Sequence, residues 1–202
     1  MNPSKAGKIS QFVQARIARL SHIHNESMLA ATLAKLRRGI GKEPGSLPEL
    51  WEVTLDGLPE TLQGNDDRPS FGERAVHTAL TLFALHQQSK DIKEKWMCEP
   101  GASLGGAMRE MIRRNPDREM AITRRFVAAV TADGYEELVW HLRGLVQLLR
   151  TEELKLDYPQ LAKELFEYQY PDRRDRIRLQ WGRQFYRQSA QDHSDNRSDD
   201  KE

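Results

Sequence analysis

Cysteine and long apolar runs are the features that this sequence most lacks. Cys98 is the only cysteine among the 202 residues, which excludes an internal disulfide and a zinc site built from cysteines. No apolar run approaches the roughly 20 residues that a membrane-spanning helix needs. The opening residues, MNPSKAGKISQF, contain no apolar signal-peptide core, so we expect the chain not to be exported. Together these absences predict a soluble, cytoplasmic protein with no membrane partner.

The sequence also lacks the motifs that identify many nucleotide-binding and hydrolytic enzymes. It contains no P-loop and no Gly-x-Ser-x-Gly, and the glycine-rich run from Gly101 to Gly106 follows no predicted strand, so we interpret it as a turn. His77 and His86 are nine positions apart, too far for a helical i, i+4 metal pair. We therefore expect no catalysis, no metal and no cofactor. A hydrolase centred on His86 or His141 is kept as an alternative.

Charge is nearly balanced but unevenly placed. The formal net charge is +1, yet residues 189–202 hold five acidic and two basic residues and no large apolar one. Such a segment has nothing to bury, which predicts a disordered acidic tail. Because the tail carries −3, the remaining body carries +4. Residues 171–187, with six arginines and two aspartates, form the most basic stretch.

Apolar side chains recur at three- and four-residue steps through most of the chain, as they do on one face of an α-helix. The Val/Ile-rich alternation of strands is absent from the sequence. We therefore predict an elongated, two-lobed all-α protein of about eight or nine helices. Glycine and proline cluster around Pro100, which favours an N-terminal lobe over residues 1–100 and a C-terminal lobe over residues 101–188.

Local signals predict where some helices begin and end. Asn25 and Asp157 precede apolar-periodic segments and can cap helix N-termini with their side-chain oxygens. Gly39 follows the second segment, where a left-handed glycine commonly ends a helix.

The tryptophans have apolar neighbours at helical spacing. This pattern predicts packing in the core or between the lobes rather than stacking on bases. We expect contacts with nucleic acid, if any, to be made to phosphates. The three considered are Trp51, Trp140 and Trp181.

Arginine is the residue type whose arrangement stands out. Single arginines and Arg-Arg pairs lie on or beside amphipathic segments. A guanidinium binds phosphate in a bidentate way and stays charged when partly desolvated, so a helical protein that groups several arginines is a candidate for holding a nucleic-acid backbone. Any single arginine is more often a solvated or ion-paired surface residue. Arg37 and Arg38 can also simply complement the dipole of a helix C-terminus.

Six segments, in order, resemble a known family. They are LAKLRRGIGKEPGSLPELWE, LTLFALHQQS, AITRRFVAAV, HLRGLVQLLR, LDYPQLAKEL and RIRLQWGRQFYR. Together they are similar to the CasB family, the small subunit of the type I-E CRISPR effector complex Cascade. Each segment alone is a generic helix, but the ordered set is specific and covers about residues 8–188.

The resemblance implies an all-helical, two-lobed protein without enzymatic activity. In that family two copies lie along the backbone subunits that coat the guide RNA, and they meet the large subunit. They steady the duplex of guide RNA and target DNA and help hold the displaced strand. Because guide pairing reads the sequence, this subunit needs only phosphate contacts. A purely structural helical adaptor, whose arginines pair with acidic protein surfaces, is kept as the second hypothesis.

The resemblance also indicates which residues to test as nucleic-acid contacts. They are the basic residues inside the matching segments, with Arg109 and Arg113 as weaker additions from a less distinctive segment. The stronger positions are Arg37, Arg38, Arg124, Arg125, Arg143 and Arg183.

Overall fold

The computed structural model describes residues 4–92 and 94–187, and their regular secondary structure is helical. Three 3-10 turns, at Pro48–Leu50, Glu60–Leu62 and Pro116–Arg118, accompany the α-helices of this part of the chain. The predicted all-α fold class is confirmed. The α-helices are α1 (Lys5–Ser21), α2 (Glu26–Arg38), α3 (Trp51–Thr54), α4 (Phe71–His86), α5 (Leu104–Arg114), α6 (Glu119–Val130), α7 (Tyr135–Thr151), α8 (Tyr158–Tyr168) and α9 (Pro171–Phe185).

Two of the predicted helix starts have the expected side-chain caps. The Asn25 side chain accepts a hydrogen bond from the Met28 amide at 3.0 Å. The Asp157 side chain accepts one from the Gln160 amide at 2.9 Å. Each cap satisfies an amide that has no partner inside the helix, and both predictions are confirmed.

Gly39 ends α2 as predicted, but the predicted left-handed conformation is wrong. Its φ is −77° and its ψ is −9°, which any residue can adopt. Gly39 packs closely, because a Cβ would lie 2.6 Å from Leu50 Cδ1, and the buried Leu50 side chain would have to move to accept a larger residue. The left-handed residue comes two positions later, at Gly41, where φ is +73°.

Helix α4 lies at the centre of the packing. Its residues Val76, Leu80 and Phe83 are fully buried, and it contacts α1, α2, α7 and α8. Helix α8 also packs extensively on α1, although the two are far apart in sequence. The buried apolar residues form one connected cluster that includes α1, α4, α8 and α9. The division into lobes near Pro100 stays a prediction.

Helices α5, α6, α7 and α9 pack beside this centre and place the arginines considered below. Gly105 allows α5 to approach α9, since a Cβ there would lie 2.3 Å from the Trp181 carbonyl oxygen. Phe126 of α6 stacks on Phe185 of α9 with ring centroids 4.3 Å apart. Helix α6 also packs along α7.

The acidic tail predicted over residues 189–202 lies outside the described residues, as does the last residue of the predicted C-terminal lobe. Within the described part, no helix combines the length and hydropathy needed to cross a membrane.

Candidate nucleic-acid interface

Helices α6 and α7 present three of the predicted arginines to solvent. On α6, Ile122 and Phe126 are buried, which places Arg124 on the side away from the core and Arg125 on a flank. On α7, Arg143 lies outside the buried stripe. All three side chains are exposed, and no acidic residue of the described chain forms an ion pair with them.

Arg125 and Arg143 border the same surface hollow, although they lie on different helices. No aspartate or glutamate is among the described residues that line it. His141, which is part of the lining, has its Nε2 3.5 Å from Glu137 Oε1. Arg143 also lines a neighbouring hollow with Glu43 and Glu136, which lie 3.7 and 2.8 Å from Arg74. The first hollow thus has two arginines and no carboxylate in its lining. The lining residues are Arg125, Trp140, His141, Arg143, Gly144, Leu145 and Gln147.

Trp140 is 70% exposed, so the predicted core or interlobe packing is wrong for this residue. The buried residues of α7 include Leu138, Leu142 and Leu145, and at 100° per residue Trp140 falls on the opposite side of the helix. The spacing of these leucines in the sequence already indicates which face of α7 is the core face. We call Arg124, Arg125, Trp140 and Arg143 the α6/α7 face.

The other tryptophans differ from Trp140. Trp181 is fully buried and donates to Glu164 Oε2 at 2.7 Å, so its predicted core position is confirmed. Trp51 is 48% exposed, and its indole N–H donates to the Gly45 carbonyl oxygen at 2.8 Å.

Arg109 and Arg113 occupy a second hollow, at the α5/α9 corner, where carboxylates surround them. Arg113 forms a bidentate pair with Glu110, with N–O distances of 2.7 and 2.8 Å. Arg109 lies 3.7 Å from Glu119. The hydrogen bond from Arg113 is the main cause that lowers the pKa of Glu110 to about 2, and the hydrogen bond from Arg114 lowers it as well. Arginines of this corner are therefore already partnered within the chain. The hollow is lined by Ser103, Gly106, Arg109, Glu110, Ile112, Arg113, Pro116, Glu119, Gln184 and Arg187.

The arginines at the end of α2 have two different environments. Arg38 is exposed and lies 3.1 Å from Glu49. Arg37 is half-buried; burial lowers its pKa, and the like charge of Arg150 lowers it further. Arg150 donates to Gln88 Oε1 at 2.9 Å. Arg150 is not among the predicted contacts, although it ends the HLRGLVQLLR segment and lies near Arg37 in the fold.

The basic stretch at residues 171–187 serves partly to hold the fold together. Arg174 donates to the Asp133 carbonyl oxygen at 2.8 Å, and Arg178 donates to the Ala132 carbonyl oxygen at 2.7 Å. These bonds fasten α9 to the connection between α6 and α7. Arg183 is exposed and forms no ion pair with a described residue.

The two histidines of the hydrolase alternative lie in different environments. His86 is fully buried, and its Nδ1 lies 3.0 Å from the Tyr158 hydroxyl. Burial lowers the pKa of His86 to about 4, which keeps the ring neutral near pH 7. His141 lies elsewhere, beside Glu137. In the described chain, no three His, Cys, Asp or Glu side chains are grouped to hold a metal ion.

Comparison with known proteins gives one family. The model of the family described as CRISPR-associated protein Cse2 matches residues 32–186. No curated protein sequence matches the chain.

Solved structures agree with that match. The crystal structure of CasB from Thermobifida fusca is 32% identical, with a TM-score of 0.74 over 89% of this chain and 98% of that one. CasB from Thermus thermophilus is 21% identical, with a TM-score of 0.63 over 86% and 97% of the two chains. A chain of a CRISPR RNA-guided surveillance complex is 18% identical, with a TM-score of 0.65 over 95% and 99%; these last two show the fold alone. Because the family match spans well over half of the sequence, the chain belongs to the Cse2 family.

Proposed function

We propose that the chain is the non-catalytic small subunit of a type I-E Cascade surveillance complex that acts in antiviral defence in the cytoplasm. It stabilises the guide RNA–target DNA heteroduplex and the displaced strand through sequence-independent contacts. Its partners are the backbone and large subunits, a second copy of itself, guide RNA and target DNA. Membership of the Cse2 family supports this role, as does likeness in fold to a chain of an RNA-guided surveillance complex.

The observation that carries the nucleic-acid part of the proposal is the α6/α7 face. Arg124, Arg125 and Arg143 are exposed and lack ion-pair partners among the described residues. A guanidinium without a carboxylate partner can pair with phosphate and lose nothing but water. The remaining predicted contacts, at Arg37, Arg38, Arg109, Arg113 and Arg183, belong to the same proposal as secondary sites.

The modest charge of the body implies weak binding by the isolated chain. A +4 body cannot compete with the affinity of a complete ribonucleoprotein channel. We therefore expect the arginines to matter when the complex has already placed a nucleic-acid strand beside them.

Reconstitution tests the proposal. The chain is co-purified with the other Cascade subunits and a guide RNA, and target-DNA affinity is measured with and without it across a salt series. We expect the chain to join the complex and to tighten target binding, with the gain falling as salt rises. Arg124→Ala/Arg125→Ala should lose much of the gain. A chain that stays out of the complex contradicts the proposal.

A purely structural adaptor is the second candidate. It is favoured by apolar side chains on the outer side of α6, where Met120 is 86% exposed and Val127 is 43% exposed. Exposed apolar surface of this kind is typical of protein interfaces. Charge reversal by Arg124→Glu/Arg125→Glu separates the two roles. Loss of target retention with intact assembly supports the nucleic-acid role, whereas failure to assemble supports the adaptor.

A further inference from the structure

We propose that Trp140 is a stacking platform for an unpaired base of the displaced DNA strand, with Arg125 and Arg143 contacting the phosphates on either side. This inference rests on the proposed function and adds to it a base contact. The sequence pattern alone had indicated contacts to phosphates only.

The indole of Trp140 is uncovered to an unusual degree for a large aromatic side chain. It is 70% exposed. Its neighbour His141 meets it at 76° with ring centroids 4.8 Å apart, which is an edge contact. No ring of the described chain lies parallel to the indole. At least one face of the indole therefore has no aromatic partner in the described chain.

The absence of a long side chain at position 144 leaves that surface open. Helical side chains lean toward the N-terminus, so a side chain at position 144 would lean back over the residue four positions earlier, Trp140. A Cβ at Gly144 would meet no atom within 4 Å, so the packing does not require glycine there. Glycine in a helix interior weakens the helix relative to alanine. One turn after the exposed indole, the chain thus carries a residue that costs helix stability and leaves the ring uncovered.

The charges around Trp140 favour a polyanion. Arg125 and Arg143 share one hollow with Trp140, and no described carboxylate lines it. Trp140 and Arg143 also line a neighbouring hollow that contains Glu43 and Glu136, and Glu43 lies 3.7 Å from Arg74. The acid one turn before the indole, Glu136, is held by Arg74 with an N–O distance of 2.8 Å. A cationic border beside an exposed aromatic ring is the arrangement by which proteins bind single strands without reading sequence, since every base has a face that can stack.

The single strand to which we assign this site is DNA. Bases inside a duplex are already stacked on both faces and cannot reach a flat ring on a helix surface. When the guide pairs with its target, the displaced strand is the one that is left with unpaired bases. Trp140 would therefore stabilise the opened state of the target by holding the strand that would otherwise reanneal.

Cross-linking in the assembled complex tests the contact. Single 5-iododeoxyuridines are placed along the displaced strand, the complex is irradiated, and cross-linked peptides are identified by mass spectrometry. We expect a cross-link to Trp140. A matching guide RNA that carries 5-iodouridine tests the other strand, and a cross-link to Trp140 from the guide alone would overturn the assignment to DNA.

Affinity measurements separate stacking from charge. Trp140→Leu should weaken target binding at least about fivefold, and its salt dependence should stay as in the wild type because stacking releases no counterions. Trp140→Phe should retain most of the affinity. Arg125→Gln/Arg143→Gln should lower the slope of log affinity against log salt by about 1.4, since each single-strand phosphate contact adds about 0.7.

Two further variants complete the design. Gly144→Gln should cover the indole and weaken binding although it keeps the tryptophan. Trp51→Leu is the matched control, a half-exposed tryptophan between Glu49 and Glu52, and should leave target binding unchanged.

The outcomes distinguish this inference from the proposed function. If the arginine variants weaken binding but Trp140→Leu binds as the wild type does, the stacking role is overturned and the proposed function stands. If Trp140→Leu prevents assembly, the indole contacts a protein subunit and the stacking role is again overturned. If the wild-type chain does not join the complex, both fail.

Discussion

The α6/α7 face and the α5/α9 corner both carry exposed or half-exposed arginines on amphipathic helices, yet their arginines differ in what they can still bind. At the corner, Arg113 is paired with Glu110 at 2.7 Å, and Arg109 lies 3.7 Å from Glu119. On the face, Arg125 and Arg143 share a hollow without described carboxylates. The positions of the acids therefore decide which basic residues can bind phosphate.

The energetic reason is the cost of exchanging partners. A corner arginine must give up a carboxylate before it can take a phosphate in the same bidentate geometry, so part of the new interaction replaces an old one. An arginine of the α6/α7 face gives up water alone. Surface ion pairs are individually weak, so the corner arginines are less effective but not inert.

Charge reversal in the two regions should show the largest difference. We expect Arg125→Glu/Arg143→Glu to weaken target binding by the complex on the order of 100-fold, because two charge-assisted contacts become repulsive. Arg109→Glu/Arg113→Glu changes the net charge by the same amount and is the matched control. It should weaken binding less than about threefold.

Affinities of the two double variants should be measured in the same buffer, after gel filtration has shown that each complex is complete. Equal losses of affinity in the two double variants would contradict the difference between the regions. They would mean that net charge determines binding and that the local carboxylates do not.

The next largest difference between the two regions should be the effect of a glycine-to-alanine substitution on the free energy of unfolding. Gly105→Ala at the corner should lower the free energy of unfolding by at least about 2 kcal/mol. The reason is that its Cβ would lie 2.3 Å from the Trp181 carbonyl oxygen and 2.8 Å from the Phe185 nitrogen, and backbone atoms of α9 cannot easily move. Urea unfolding followed by circular dichroism measures the loss. A midpoint unchanged from the wild type would contradict the close helix approach.

Removing the carboxylate partner of a corner arginine should let the α5/α9 corner bind phosphate more as the α6/α7 face does. Glu110→Gln removes the carboxylate that Arg113 and Arg114 share. We expect non-specific DNA binding by the isolated chain to rise about two- to fivefold at low salt. The dependence on salt should become steeper. Because the hydrogen bond from Arg113 lowers the pKa of Glu110 to about 2, acidifying the wild type to pH 5 should not reproduce the effect. No change on substitution would show that the pair does not restrict Arg113.

Periodicity and cap chemistry made the helices predictable from the sequence. Asn25 and Asp157 act through neighbours three residues away, so their roles are local and readable. The Arg113–Glu110 pair is likewise local, three positions apart on one helix. The all-α class followed from such patterns, whereas the family was indicated by the resemblance of six ordered segments.

Contacts between distant segments were not predictable in this way. The approach of Arg109 to Glu119 depends on how α5 and α6 pack, and the nearness of Arg37 to Arg150 joins helices far apart in sequence. A local rule predicted Gly39 as a helix end, but its close contact with the Leu50 side chain depends on the tertiary packing. The exposure of Trp140, by contrast, is indicated by the sequence, because the leucines of α7 place the core on the opposite side of the helix.

The smallest expected effect is a gain in stability on the α6/α7 face. Gly144→Ala should raise the free energy of unfolding by about 0.5–1 kcal/mol, because a Cβ there would meet nothing within 4 Å and alanine restricts the unfolded chain. Gly105→Ala should instead destabilise the protein, so the two substitutions compare the same chemical change in an open and in a closely packed environment.

A methyl group is too small to cover the indole, so target binding by Gly144→Ala should stay within about twofold of the wild type. Stability and target affinity should therefore respond differently at this position. Alanine should raise stability and leave affinity unchanged, whereas glutamine should weaken affinity. Destabilisation by Gly144→Ala would show that other atoms already occupy the space beside position 144. It would contradict the open surface next to Trp140.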